Sequence, residues 1–330
     1  MKHFLIFLTI NIFLAGRVSA QSPEADSAMM PRPSLNALYQ SFSYAGDRRY
    51  TIDGYIPKPY TELRPVQATV IGTLYLGAIV GLYIHQNSAW WSSSKGEFRF
   101  VEDWVSALQV DKFGHAYGSY ASAYVMREGL LYAGLDDETA HIYGAIFGAG
   151  YQTYVEVGDG FAGDWGFSPS DFYFDVFGAG FFLAQYYMPF LQNFSPKFLY
   201  VPSEYTGKPV IDRPRTILDD YNSTTFFLTV DVWNLLPNKY KKYWLPWLSL
   251  AFGYGGDAID FRPNPNGPPD QLSSRRYVVS LDVNVTRMLP DGHPTFNWLK
   301  QAFNHIKLPS PAVEFSEGKT RFYLLYPFPL

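Results

Sequence analysis

Between Asp111 and Gly178, three apolar segments each carry two polar side chains four residues apart: Asp111 and His115, Gln152 and Glu156, Asp171 and Asp175. On a helix this spacing puts both members of a pair on one face, one turn apart. A histidine oriented by a carboxylate is a device for proton transfer or cation ligation. Asp111 and His115 therefore point to acid–base or metal chemistry, with Glu156 and Asp175 as further acids. A purely structural reading stands beside it, in which Asp111 caps its helix, Lys112 is solvated and His115 hydrogen-bonds inside a core. Glu156 and Asp159 fall near the end of the second segment, where a helix's negative partial charge disfavours acids. They call for a partner, and Lys112 or His115 would serve. Asp171 reads as a first-turn acid, whereas Asp175, between Phe174 and Val176, needs a partner or must be neutralised. We expect His115, Asp111, Glu156 and Asp175 to converge as the candidate catalytic residues. Lys112, Asp159 and Asp171 are expected as ligand or network residues. The sequence assigns no particular metal or cofactor.

Three helices must position these groups. The first opens at Asp111 and runs to about Ala133, with Gly134 as its stop. The second is capped by Asp136 or Asp137, carries Glu138 in its first turn and runs to about Val157. The third begins with Ser168-Pro169-Ser170-Asp171, with serine at the cap and proline at the first helical position, and ends near Met188 before Pro189. Upstream, Val66 to Ile84 contains no charged residue. As a helix it would be about 28 Å long, close to the hydrocarbon thickness of a bilayer. Gly72, Gly77 and Gly81 would admit a close neighbour. The alternative is a central helix buried in a soluble bundle.

Residues 1–20 read as a signal peptide: Met1-Lys2-His3, an apolar run from Phe4 to Ala15, and Val18-Ser19-Ala20 before Gln21. Residues 21–60 read as an N-terminal arm, 61–190 as a helical core holding the polar inter-helix site, and 191–225, with four prolines, as a linker. The region 226–330 is β-rich. Phe226–Trp233, Trp247–Tyr254, Tyr277–Thr286 and Arg321–Tyr326 have strand character. Along the third, Tyr277, Val279, Leu281, Val283 and Val285 share one face and Ser280, Asp282, Asn284 and Thr286 the other. A proline-rich loop, 255–275, separates the second and third strands. Four to six strands are too few to close an outer-membrane barrel. The expected fold is α+β: a membrane-associated helical bundle of about four helices followed by a small antiparallel β layer.

The chain has no cysteine, which excludes disulfides, thiolate ligands and a thiol nucleophile, and argues against a lipid-modified N-terminal cysteine. A formal charge of −4 offers no basic field for nucleic acid. Aromatic residues are 18% of the chain and charged residues 17%, against roughly 25% charged in soluble domains. That balance favours membrane lipid as a partner. No Gly-x-Ser-x-Gly elbow, His-Glu-x-x-His helix or P-loop occurs. Nor is Glu-x-x-His found on two helices, as a di-metal bundle needs, and the alternating acids of an EF-hand loop are absent.

At Asp111-Lys112-x-x-His115, Glu156 and Asp171-x-x-x-Asp175-x-x-Gly178, the sequence resembles the YfiM-like family of predicted bacterial periplasmic lipoproteins, a domain of unknown function. It is more distantly similar to VanZ-like membrane proteins. Asp220-Tyr221-Asn222 and the Trp247–Tyr254 strand resemble the long Bacteroidota-type members with a β-rich C-terminus. The resemblance spans roughly residues 60–290 and implies an exported envelope protein, on the periplasmic side or in the outer membrane, with a helical core around the Asp/His/Glu/Asp set. It brings no established activity. Two departures limit it: no lipid-anchor cysteine is present, and Gln152-x-x-x-Glu156 is not the Glu-x-x-Gln order of VanZ-like chains. The reading is of a membrane-associated cell-envelope protein whose polar site is structural or binds a small polar or ionic ligand. The alternative is a hydrolase or transferase acting on a lipid or cell-wall headgroup, with His115 as base.

Overall fold

The structure is a computed structural model. It describes residues 42–92, 96–202, 209–210, 213–214, 220–257, 259 and 273–328. The expected signal peptide, the first half of the expected arm and most of the 255–275 loop lie outside the described residues.

A two-stranded ribbon, β1 (Ser43–Tyr44) and β2 (Asp47–Arg48), precedes four long helices: α1 (Pro65–Ala89), α2 (Val110–Tyr132), α3 (Asp137–Phe161) and α4 (Pro169–Tyr187). Their starts follow local chemistry. Pro65 and Pro169 occupy first-turn positions, where a missing N–H costs nothing. The Asp136 side chain accepts from Thr139 N, and Ser168 Oγ accepts from Asp171 N. Gly134, at φ +98°, ends α2, and a Cβ there would meet the Glu62 carbonyl oxygen at 2.2 Å. Helix α2 has no side-chain cap. Ala107, Leu108 and Gln109 precede it at φ 47°, 54° and 65°, so Asp111 sits in the first turn and is not the cap. Left-handed backbone at non-glycine residues costs roughly 1 kcal/mol or more each and tends to collect at functional sites.

Helices α2, α3 and α4 pack on one another, with α1 laid alongside. The close approaches are made by Gly144 and Gly148 of α3 and Gly178 of α4. A Cβ on these would lie 2.7 Å from Ala123 O, 2.4 Å from Ser119 O and 2.0 Å from Ala116 O of α2. The expectation that Gly72, Gly77 and Gly81 admit a neighbour is corrected: a Cβ on any of them meets nothing within 4 Å. Only Gln86 of α1 is buried, and Val66 is 71% and Ile84 60% exposed. By length and composition α1 is able to cross a membrane. The buried-core alternative fails because most of its apolar side chains, Val66, Val70, Leu74, Leu76, Val80 and Ile84 among them, are exposed, while Ala68, Ile71 and Tyr75 face α2.

Ionic layers close both ends of the α2–α4 unit, and no charged residue falls between Ala116 and Met126, between Ile142 and Val155, or between Val176 and Tyr187. One layer holds the Asp111/His115 set. In the other, Arg127 is fully buried and pairs with Glu128 and with Asp137 at 2.9 Å. Arg49 reaches Glu128 at 3.2 Å, and Trp298 Nε1 donates to it at 2.8 Å.

The C-terminal half is a six-stranded antiparallel sheet in the order β10-β9-β8-β7-β6-β3: β3 (Phe194–Tyr200), β6 (Thr224–Val230), β7 (Leu248–Asp257), β8 (Ser274–Val283), β9 (Ala312–Ser316) and β10 (Lys319–Tyr323). A short ribbon, β4 (Pro209–Val210) with β5 (Arg213–Pro214), stands apart from it. Short helices α5 (Val232–Leu235), α6 (Asn238–Lys241) and α7 (Val285–Met288), and the ten-residue α8 (Pro294–Phe303), fill the connections. Part of the expected linker 191–225 is therefore strand β3, paired along its length with β6. The segment 305–307 bridges its other side at Phe198. The strand expected to run to Thr286 stops at Val283, because Asn284 caps α7.

The sheet has its polar face inside. Ser249, Ser280, Asp282, Glu314 and Ser316 are buried. Asp282 pairs with Lys197 at 2.7 Å and Lys307 at 3.5 Å, around an apolar centre of Leu199, Phe227, Ala251, Val278, Ala312 and Tyr326. The outer face is apolar. Leu228, Phe252, Val279, Val313 and Phe322 form one cross-strand row; Phe226, Tyr254, Tyr277 and Phe315 form the next. Helix α2 covers one side of it, bringing Gly114 and Tyr117 against Phe226. Phe252, Tyr277, Phe315 and Phe322 remain exposed.

Candidate functional site

At the Trp90–Trp91 end of α1, the first ionic layer brings Asp111, Lys112 and His115 of α2 against Glu156 of α3 and Asp171 and Asp175 of α4. Of these, all but His115 are buried, and the His115 side chain keeps 16% exposure. His115 Nδ1 lies 3.0 Å from Asp175 Oδ1 and 3.7 Å from Glu156 Oε1. Its Nε2 lies 3.7 Å from Asp111 Oδ1 and 3.9 Å from Asp171 Oδ1. One imidazole is thus surrounded by four carboxylates contributed by three helices. The convergence expected of Asp111, His115, Glu156 and Asp175 is what the packing delivers.

Lys112 is not solvated. Its Nζ is wholly buried, 2.6 Å from Asp171 Oδ1, 3.1 Å from Asp111 Oδ2 and 2.5 Å from Asp103 Oδ1. Asp171 is therefore more than a first-turn acid. Glu156 Oε2 accepts from Ser168 N at 3.0 Å, which ties the end of α3 to the cap of α4. Helix α3 continues to Phe161, so Glu156 is still inside it. Asp159 takes a different partner from the one expected: its carboxylate accepts from Trp91 Nε1 at 2.6 Å, which anchors the end of α1.

Three further contributors complete the set, two of which escaped the pattern of paired spacing. Asp103 sits in the loop before α2 and accepts from Ser168 Oγ at 2.5 Å and Ser170 Oγ at 3.1 Å. Tyr221, within the Asp220-Tyr221-Asn222 run, donates its hydroxyl to Asp111 Oδ1 across 110 residues of chain. Gln152 Nε2 reaches Asp175 Oδ1 at 3.4 Å. Gln152 alone carried a signal, since it lies one turn before Glu156; nothing local marks the other two. Beside the cluster opens a cavity of about 440 Å³ lined by Asp111, His115, Glu156, Asp171, Gln152 and Tyr221, among others.

Charge excess dominates the electrostatics. Among the described residues, Asp103, Asp111, Glu156, Asp171 and Asp175 form ion pairs only with Lys112 and His115. Burial pushes Glu156 up to about 8 against the opposing pull of His115. Burial, reinforced by the neighbouring Asp111 charge, takes Asp171 to about 7. Burial also opposes the ionised form of Asp111, but His115, Lys112 and the Tyr221 hydroxyl outweigh it and hold Asp111 below the ordinary value. For His115, burial disfavours the cation. The Asp175 hydrogen bond and the charges of Asp111, Asp171 and Asp175 prevail, so the ring is held well above the usual histidine value.

These shifts give a pH dependence of stability. Glu156 is raised on folding, so its contribution is fully present below its ordinary value of 4.5 and is lost as pH rises through about 8. His115, also raised, contributes in the same sense. Melting temperature in detergent should therefore fall between about pH 5 and pH 8, and Glu156→Gln should flatten that slope. A wild-type melting temperature that rises across this window would contradict the assignment.

Residues 99–187 match the family described as Predicted periplasmic lipoprotein (DUF2279). This bears out the resemblance to predicted periplasmic lipoproteins over that segment, a shorter stretch than the 60–290 expected. The match begins just before Asp103 and ends with α4, so it encloses every site residue named above except Tyr221. It agrees with the export expected from the N-terminal residues, and the protein is an exported one of the cell envelope. The 330 residues contain no cysteine to carry a lipid. No curated protein and no solved structure matches the chain.

Proposed function

We propose that this chain is a membrane-embedded protein of the cell envelope that holds a small polar or ionic ligand in the cavity beside His115. The observation carrying this reading is the cavity itself, about 440 Å³ in volume. A network built only for stability would close on itself; this one leaves Asp111, His115, Glu156 and Asp171 facing open space. Two surfaces support the membrane part. Helix α1 is apolar and exposed over most of its circumference, apart from the face laid on α2. The sheet turns its aromatic rows outward and its ion pairs inward, the reverse of a sheet in water. With α1 across the bilayer, Trp90 and Trp91 fall at its boundary and the site lies at their level. We read the sheet as the β-rich addition of the long members of the family.

The headgroup hydrolase or transferase with His115 as base is the weaker reading. A ring held in its protonated form by its carboxylate neighbours has no lone pair to accept a proton.

Membranes washed with alkaline carbonate, extracted in mild detergent and examined by native mass spectrometry test the proposal. The chain is expected to stay in the pellet and to carry a bound small species. Ala121→Phe, which fills the cavity from its wall, is expected to lose that species while remaining folded. A chain released by carbonate would overturn the membrane part. Bare protein from both wild type and variant would overturn the ligand part.

A further inference from the structure

We propose that Asp111, His115 and Asp171 form a binding site for one first-row divalent metal ion, with Asp175 as the residue that orients the imidazole. The inference rests on reading the cavity as a ligand site and names the ligand's chemical class.

An imidazole offers a metal one nitrogen at a time, and which one is free is set by the hydrogen bond the other makes. Nδ1 of His115 is engaged by Asp175 Oδ1 at 3.0 Å. Nε2 has no hydrogen bond among the described residues; its two carboxylate neighbours stand at 3.7 and 3.9 Å, beyond hydrogen-bond reach. Those separations suit the edge of a coordination polyhedron. Bonds of about 2.0–2.2 Å to zinc in a tetrahedron put ligand atoms about 3.3–3.6 Å apart. Closing the two histidine–carboxylate edges on an ion thus asks for shifts of only a few tenths of an ångström.

The set is metal-competent as it stands, because one potential ligand atom from each of Asp111, His115 and Asp171 lies within 4.8 Å of the others. All three residues line the cavity, which leaves a fourth position for water or a second ligand, the pattern of an open site. Asp175, wholly buried and absent from that lining, supplies the carboxylate–histidine contact that raises the ring's basicity as a ligand.

Two further observations favour a cation in this layer. Asp175 Oδ2 is buried with no hydrogen-bond partner. Five carboxylates also meet two cationic side chains in one layer. Lys112 serves Asp103 and also both acids on the Nε2 side of His115, Asp111 and Asp171, so its single charge is shared among three carboxylates. Metal binding there would displace the imidazolium proton, so that the ring becomes a neutral ligand. One imidazole with oxygen donors and no thiolate suits Mn²⁺, Fe²⁺ or Zn²⁺ more than Mg²⁺ or Cu⁺.

The test uses the full chain in detergent, stripped with a chelator and titrated with Zn²⁺ and, separately, Mn²⁺. Binding is followed by calorimetry, and metal content by mass spectrometry after desalting. Wild type should bind one ion per chain. His115→Gln and Asp171→Asn should each weaken binding tenfold or more, and Asp175→Asn should weaken it less. Glu156→Gln, on the Nδ1 side, should leave affinity within about twofold. X-ray absorption of the zinc form should show one imidazole among oxygen ligands, lost in His115→Gln. Folded wild type that binds neither ion overturns the proposal, as does binding that His115→Gln leaves unchanged. If the metal fails while a small organic species still co-purifies and disappears in Ala121→Phe, the broader ligand reading survives; if both fail, neither stands.

Discussion

Replacing Lys112 with methionine should lower the melting temperature by on the order of 10 °C at pH 8, one of the two largest effects expected of any single substitution here. Methionine keeps most of the side-chain volume, so the change isolates the charge. It leaves Asp103, Asp111 and Asp171, now within 2.5–3.1 Å of Lys112 Nζ, without their common cation. Stranding one partner of a buried ion pair costs about 3–5 kcal/mol. Protonation is the remaining escape, and Asp171 already accepts a proton at about 7. The deficit should therefore shrink as pH falls from 8 to 5, when the stranded acids neutralise themselves. Lys112→Arg keeps the charge and should recover part of the loss. A methionine variant that melts with wild type at pH 8 would show that Lys112 does not hold these acids together.

The second large effect is steric and sits two residues from its own control. Gly178→Ala places a methyl group 2.0 Å from the Ala116 carbonyl oxygen and 2.8 Å from its carbon, both backbone atoms of α2 that no rotamer change can move aside. Helices α2 and α4 must part by more than about an ångström to reach ordinary contact. That separation pulls His115 away from Asp175, whose present distance is 3.0 Å. Overpacking of this kind costs about 3 kcal/mol or more when the obstacle is main chain. Gly180, where an added Cβ meets nothing within 4 Å, should instead gain about 0.5–1 kcal/mol from alanine in a helix interior. Thermal melts of the two variants should move in opposite directions. If Gly178→Ala is neutral, the close α2–α4 contact that assembles the site is wrong.

The sequence by itself determined the helices and the membership of the site. Helix ends were legible because their causes are local: Ser168 and Pro169 start α4, Asp136 caps α3, and Gly134 stops α2 with a backbone that favours glycine. The pairs four apart were legible because helical periodicity puts them on one face, and an acid such as Asp175 amid aromatics demands a partner wherever it lies. What those partners are was decided by tertiary structure. Asp103 and Tyr221 enter from a loop and from just before β6, and no spacing rule links them to Asp111. Asp159 went to Trp91 and not to the histidine, because α1 ends beside it. The glycines that matter are also set by packing. Gly72, Gly77 and Gly81 looked like a contact stripe but meet nothing, whereas Gly144, Gly148 and Gly178 touch the backbone of α2.

The sheet shows the same division. Alternation along Tyr277 to Val283 revealed two chemically distinct faces, but period alone does not say which is inside. Burial of Lys197, Lys307 and Asp282 on one side turned the polar face inward and left the aromatic rows outside. Strand β3 was hidden by Pro196, tolerated because this strand receives only isolated contacts, at Phe198, along the side away from β6. A chain records its local preferences residue by residue. The sign of a face, and the identity of a partner a hundred residues away, exist only once the elements have closed on one another.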